Sequence, residues 1–269
     1  MVALKSPREI ETMRRSGKIT ASVLTELMQT ARAGMSTRDL DELAEKGIRE
    51  RGGIPTFKGY HGYPATICAS VNDEVVHGIP SDYVLREGDL LSIDIGTTLD
   101  GYVSDSAVTI PIGAISNKAQ ALLEVTRECL MLGIAQMQRG KHVGDIGAAV
   151  QVYAESHGYG VVRELAGHGV GTAMHEEPQV PNYGKAGTGM ELRPGLVIAI
   201  EPMITEGDRR VEILKDGWTV VTADGKLAAH FEHTIAVTDE GPRILTLRNF
   251  GEHPDAAKYV PDAERVQAR

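Results

Sequence analysis

The chain has 269 residues, 42% hydrophobic and 24% charged, with 30 Gly and 12 Pro, a composition that excludes disorder, collagen and coiled coil. Its 28 Lys+Arg against 37 Asp+Glu leave a net charge of −9, so its field repels nucleic acid and anionic membranes. Cys68 and Cys129 lie outside any Cys-x-x-Cys spacing, which excludes a disulfide framework or a cysteine zinc finger and points to a reducing compartment. The N-terminal stretch reaches Lys5, Arg8 and Glu9 before any apolar run forms, and the run Leu196 to Ile200 stops at Glu201. No export signal or membrane span is expected, and the cytoplasm is the expected location.

In chain order, Ser6-Pro7-Arg8-Glu9 is a capping box with proline at the first helical position. It opens a long helix carrying Ile10, Met13, Ile19, Val23, Leu24 and Leu27, up to Gly34. Ser36 and Asp39 start a second helix with Leu40, Leu43, Ala44 and Ile48 inward, closed by Gly52-Gly53. A strand is expected over Ala65 to Val71. Leu90 to Gly96 and Tyr102 to Ile112 read as a hairpin around Asp100-Gly101. A third helix runs from Ser116 to Gly140 and a fourth from Val143 to Ser156. A second hairpin is expected from Trp218 to Thr222 and Leu227 to Val237 around Asp224-Gly225. Residues 1–250 read as one catalytic domain, and 251–269 as a charged peripheral tail.

A repeat organises the domain. Arg86 to Asp94 and Arg193 to Glu201 each run from a basic residue through a turn glycine and an apolar strand to an acid six residues after the glycine. A further acid follows each copy, Asp105 and Glu232, and a His-x-x-Pro precedes each, at His77 and His175. Two related α/β halves, about 5–140 and 141–250, are therefore expected around a pseudo-twofold axis. With Asp100-Gly101 as the turn, Asp105 faces Gly96 and becomes the diagonal neighbour of Asp94 on one face, with Gly96 leaving space for a ligand. Glu201 and Glu232 would form the matching pair.

Four carboxylates in one closed space must bind protons or cations, and two divalent ions neutralise them. Oxygen ligands with an imidazole suit manganese, iron, cobalt or zinc. His168, between Gly167 and Gly169, is the candidate imidazole.

These residues, in this order and on these strands, resemble the type I methionine aminopeptidases of the creatinase-like, or pita-bread, fold. The resemblance runs from Lys5 to about Asn249 and is most specific at Gly59 to Pro64, Ser70 to Pro80, Gly167 to Gly171 and His175 to Val180. It implies an α+β fold of two pseudo-symmetric halves, with a central antiparallel sheet covered by helices. It implies two divalent ions, one held by Asp94, the other by His168 and Glu201, with Asp105 and Glu232 bridging. A water acidified by the ions would attack the first peptide bond while Glu201 takes its proton, His175 stabilises the oxyanion, and His77 orients or protonates the departing nitrogen. The resemblance places Tyr60, Tyr63, Cys68, Met174 and Trp218 around the methionine side chain, with Phe57 either pocket or core. Small second residues are the expected substrates. N-terminal methionine peptides and nascent chains are the expected partners, the ribosome is a candidate one, and a monomer is expected.

A prolidase or Xaa-Pro aminopeptidase of the same fold ranks second, because those usually carry an N-terminal domain and only 93 residues precede Asp94 here. A binding module that has lost catalysis would have broken ligands, and all five are intact.

Overall fold

The computed structural model describes residues 2–248, and the expected tail at 251–269 lies outside them. Helix α1 (Pro7–Thr30) starts where predicted: Ser6 Oγ accepts from the Glu9 N–H, and the Glu9 carboxylate accepts from the Ser6 N–H at 2.7 Å. Ser36 and Asp39 cap α2 (Thr37–Glu50) in the same way. Leu43, expected inward, is instead 41% exposed, whereas Leu40, Ala44 and Ile48 are fully buried. The buried stripe of α2 is thus narrower than its apolar content. Helix α3 (Asn117–Ala135) ends short of Gly140, although Met137 beyond it is buried, and α4 spans Val143–Ser156.

Among the described residues, fifteen strands separate and flank these helices. The first five are β1 (Ile54–Pro55), β2 (Ile67–Val71), β3 (Glu74–Val76), β4 (Leu90–Leu99) and β5 (Tyr102–Pro111). β6 (Gly160–Val161), β7 (Gly167–Gly169), β8 (Glu176–Val180), β9 (Val197–Ile200) and β10 (Met203–Thr205) follow. The last five are β11 (Val211–Ile213), β12 (Val220–Thr222), β13 (Ala228–His230), β14 (His233–Thr238) and β15 (Gly241–Ile244).

β4 and β5 form the predicted hairpin, with Asp100 and Gly101 both at positive φ (50° and 81°), as a turn of two left-handed residues requires. β4 pairs on its other edge with β2 and β1, and α1 packs against both strands of the hairpin. Leu90, Leu91, Ile93 and Ile95 are almost fully buried, so β4 is covered on both faces. A second antiparallel sheet has the order β15-β14-β9-β7-β8, and α3 and α4 contact its strands β9 and β8. The two sheets meet where β5 runs against β14. There Thr234 Oγ1 accepts from the Asp105 N–H at 2.9 Å and donates to the Asp105 carbonyl at 2.8 Å.

The expected hairpin from Trp218 to Val237 does not form. β12 pairs with β11 and β3, and β13 pairs with β10. The turn between β2 and β3 intervenes: the Asp73 carbonyl accepts from Thr222 N–H, and the Asn72 carbonyl accepts from Ala228 N–H. Strand propensity marks the right residues here, but distant partners occupy their edges. Among the described residues no helix is long and apolar enough to cross a membrane.

Candidate active site and metal centre

Where the two sheets meet, a cavity of about 310 Å³ opens. Each residue singled out from the sequence as a ligand, a catalytic group or a pocket wall lines it: Asp94, Asp105, His168, Glu201 and Glu232; His77 and His175; and Tyr60, Tyr63, Cys68, Met174 and Trp218. Phe57 lines it as well, although only 6% exposed, so pocket and core are one location for this residue.

The hairpin register carries the first two acids. Gly96 stands opposite Asp105 and Ala107 opposite Asp94, which makes the acids diagonal neighbours. The space over Gly96 is not left for a ligand. Phe57 fills it, since a Cβ at Gly96 would come within 2.6 Å of the Phe57 ring.

The second pair is held differently. Glu201 directly follows β9, and its carbonyl accepts from Asn182 Nδ2 at 2.9 Å. Glu232, expected on a strand, lies in the gap between β13 and β14. Its N–H donates to the Ala107 carbonyl at 3.0 Å and its carbonyl accepts from Ser106 Oγ at 2.8 Å, so β5 of the first sheet fixes it. His168 lies on β7 at a bulge. Its Nδ1 is 3.0 Å from the Gly169 carbonyl and must be the donor there, which leaves the Nε2 lone pair facing the acids. Nε2 is 3.7 Å from Asp105 Oδ2 and 3.6 Å from Glu201 Oε1.

Burial penalises the charged form of each of these groups. It raises Asp94 to about 6, with His230 opposing and Glu201 reinforcing, and raises Glu201 to about 7, with His168 opposing. Asp105 and Glu232 are pushed well above the usual carboxylate range by burial and by the neighbouring acids. His168 and His175 are lowered, mainly by burial, and His77 falls to about 4 through burial and His230. Such a cluster is poor in counter-charge.

The donor set fits divalent cations on its own geometry. Ligand atoms of Asp105, His168 and Glu232 all lie within 4.8 Å of one another. Asp94 Oδ1, Asp105 Oδ1 and Glu232 Oε1 are buried with no hydrogen-bond partner. Buried carboxylate oxygens are costly unless hydrogen-bonded or coordinated.

Around this centre, Tyr60 Oη lies 2.7 Å from His175 Nδ1, and the His175 ring centroid lies 4.2 Å from that of His168, the two planes tilted by 59°. Tyr63 is anchored through its hydroxyl to the Ile67 and Gly78 carbonyls and meets Trp218 edge-on at 5.0 Å. Two further histidines escape the sequence reading. His61 lines the cavity beside Tyr60. His230 is buried 3.6 Å from Glu201 Oε2, and its place two residues before Glu232 was the available signal.

Residues 11–239 match metallopeptidase family M24. The chain is 51% identical over 246 residues to methionine aminopeptidase 1 of Bacillus subtilis, covering 91% of this chain and 99% of that one. It superposes on the crystal structure of methionine aminopeptidase from Thermotoga maritima with a TM-score of 0.91 at 44% identity, covering 93% of this chain and all of that one. The prolidase from Pyrococcus furiosus shares the fold at a TM-score of 0.76, but at 22% identity and with 66% of its length covered.

Proposed function

The chain belongs to metallopeptidase family M24, and from that premise we propose a division of labour among its cavity residues in removing N-terminal methionine from peptides and proteins. The fold is the pita-bread fold, the relationship is to the type I methionine aminopeptidases, and the activity is metal-dependent. The prolidase alternative rests on the shared fold alone.

The proposal assigns Asp94, Asp105, His168, Glu201 and Glu232 to two divalent ions of the cobalt, manganese, iron or zinc class. The single observation that carries this assignment is the set of buried, partnerless carboxylate oxygens beside the free Nε2 of His168. When bound, divalent cations supply Lewis acidity for the carbonyl and lower the pKa of water.

The remaining chemistry falls to the chain's own side chains. Glu201, whose carboxylate lines the cavity beside His168, is the group that accepts the proton of the attacking water. Tyr60 donates its hydroxyl proton to His175 Nδ1, which puts the ring proton on Nε2 as a donor for the developing oxyanion. His77 is kept neutral by burial and can hold one hydrogen bond to the departing amide nitrogen. Asp94 takes the end of the site nearest the substrate's α-amino group. Tyr60, Tyr63, Cys68, Met174 and Trp218, with Phe57, give the methionine side chain an apolar wall suited to a flexible thioether. Little room remains for a large second residue.

The test is release of methionine from Met-Ala-Ser. The expected result is turnover that a chelator abolishes and a divalent ion restores. Turnover of Xaa-Pro dipeptides without turnover of Met-Ala-Ser would reverse the assignment.

A further inference from the structure

Glu201 presents its two carboxylate oxygens to two imidazoles. Oε1 stands 3.6 Å from His168 Nε2, and Oε2 stands 3.6 Å from His230 Nε2. His168 has a role in the reading above, and His230 has none. His230 is 1% exposed, and its Nε2 is buried with no hydrogen-bond partner among the described residues. A polar nitrogen sealed from water without an acceptor is uncommon and asks for an explanation.

Its backbone is tightly fixed. The His230 N–H donates to Thr109 Oγ1 at 2.8 Å, Thr109 Oγ1 donates to the His230 carbonyl at 2.9 Å, and His230 pairs with Met203 across β13 and β10. Met203 is two residues beyond Glu201, so the pairing delivers the imidazole beside that carboxylate. Glu201 lines the cavity and His230 does not, so the ring meets Glu201 from the protein side. The same placement argues against His230 as a direct ligand, as does its absence from the cluster of Asp105, His168 and Glu232.

We propose that His230 is the positioning residue of Glu201: its Nε2–H donates to Oε2, fixes the rotation of the carboxylate and keeps Oε1 turned toward His168. The inference rests on the reading of Glu201 as ligand and proton acceptor. The 3.6 Å separation is longer than a hydrogen bond, and such contacts tighten in the assembled site. An ionised carboxylate can only accept a hydrogen bond, so the ring nitrogen that faces Oε2 must carry the proton, which places it on Nε2. Glu201 is then fixed at Oε2 from β13, while Oε1 and the Nε2 lone pair of His168, on the five-stranded sheet, stand side by side as two acceptors able to share a cation.

The experiment compares His230→Gln with His230→Asn in the full chain. A glutamine amide nitrogen reaches about as far from the backbone as Nε2, whereas that of asparagine stops near the position of Nδ1. Both variants keep a buried amide, so they differ in reach. Cobalt(II) affinity is measured by titration calorimetry on metal-free protein, the cobalt absorption spectrum is recorded, and kcat and KM are measured on Met-Ala-Ser. Because lost support of a ligand typically costs ~10–100-fold, His230→Asn should lose that much in cobalt affinity or kcat, with an altered spectrum and an unchanged KM. His230→Gln should keep the wild-type values. Equal behaviour of the two variants, whether both intact or both impaired, overturns the proposal. Glu201→Gln is measured alongside. If it retains wild-type kcat, the reading of Glu201 fails and takes this inference with it. If it is inactive while the two His230 variants match, only the inference about His230 fails.

Discussion

The two sheets deliver their acids to the cavity by different means. On the first, Asp94 and Asp105 sit inside an unbroken hairpin whose two-residue turn sets every pair from Leu90↔Pro111 to Leu99↔Tyr102. On the second, Glu201 and Glu232 sit where strands stop. Glu201 is followed by Pro202, which has no N–H to continue a ladder, and Glu232 occupies a gap where its carbonyl accepts from Ser106 Oγ and its N–H donates to the Ala107 carbonyl. Local register therefore positions one pair, and contacts between sheets position the other. The first arrangement is self-contained. The second makes the geometry of the centre depend on the docking of the two sheets.

The comparison can be broken at its root by removing one acid from each sheet. Asp105→Ala and Glu232→Ala should each lower kcat/KM on Met-Ala-Ser by ~10³-fold or more, since metal-assisted stabilisation of the reacting carbonyl is worth several kcal/mol. A large loss for only one of them would mean that the sheets do not contribute equally. His175→Ala, which removes a donor and leaves the acids in place, should lower kcat by ~10²–10³-fold, the usual cost of one oxyanion donor.

The docking itself is sharpened by Thr234→Val. This substitution keeps the shape and deletes the hydroxyl that joins Asp105 to β14, leaving the buried Asp105 N–H without its acceptor. A cost of ~1–3 kcal/mol in denaturant unfolding is expected, together with weaker metal binding. Gly96→Ala probes the hairpin side. Its Cβ would crowd the Phe57 ring, so it should cost ~1–3 kcal/mol through overpacking and disturb the methionine pocket more than the metal centre.

The charge of the centre gives a further comparison, read in pH. The four acids have folded pKa values above their unfolded ones, with Asp94 at about 6 and Glu201 at about 7, so folding favours their protonated forms. The stability of the metal-free protein from these groups is therefore present at acid pH and lost as pH rises from about 4 through 7. Cations bind the deprotonated set. The rise in Tm on adding manganese or cobalt should accordingly be larger at pH 8 than at pH 5.

What could be read from the sequence follows the same division. Asp105 opposite Gly96 was legible because Asp100-Gly101 dictates a two-residue turn and the turn dictates the register. The capping box at Ser6 and the helix start at Ser36 were legible for the same local reason. The expected hairpin from Trp218 to Val237 was not legible, because its strands pair with segments far away in sequence that no turn signal names. Glu232 was placed by analogy with Asp105 and lines the same cavity from a gap instead of a strand. His230 was passed over because the group it faces, Glu201, lies 29 positions earlier and meets it only through the pairing of β13 with β10. The five candidate ligands nevertheless share one cavity, because their order along the chain carries more information than any one of them does.

The central claim is that five side chains from two sheets hold a pair of divalent cations between them. Anomalous scattering from crystals loaded with manganese or cobalt tests it most directly. Two peaks are predicted, both within coordinating distance of oxygens of Asp105 and Glu232, one also touching Asp94 and the other His168 and Glu201. No peak in the cavity under saturating metal, or ions held by other side chains, would contradict it.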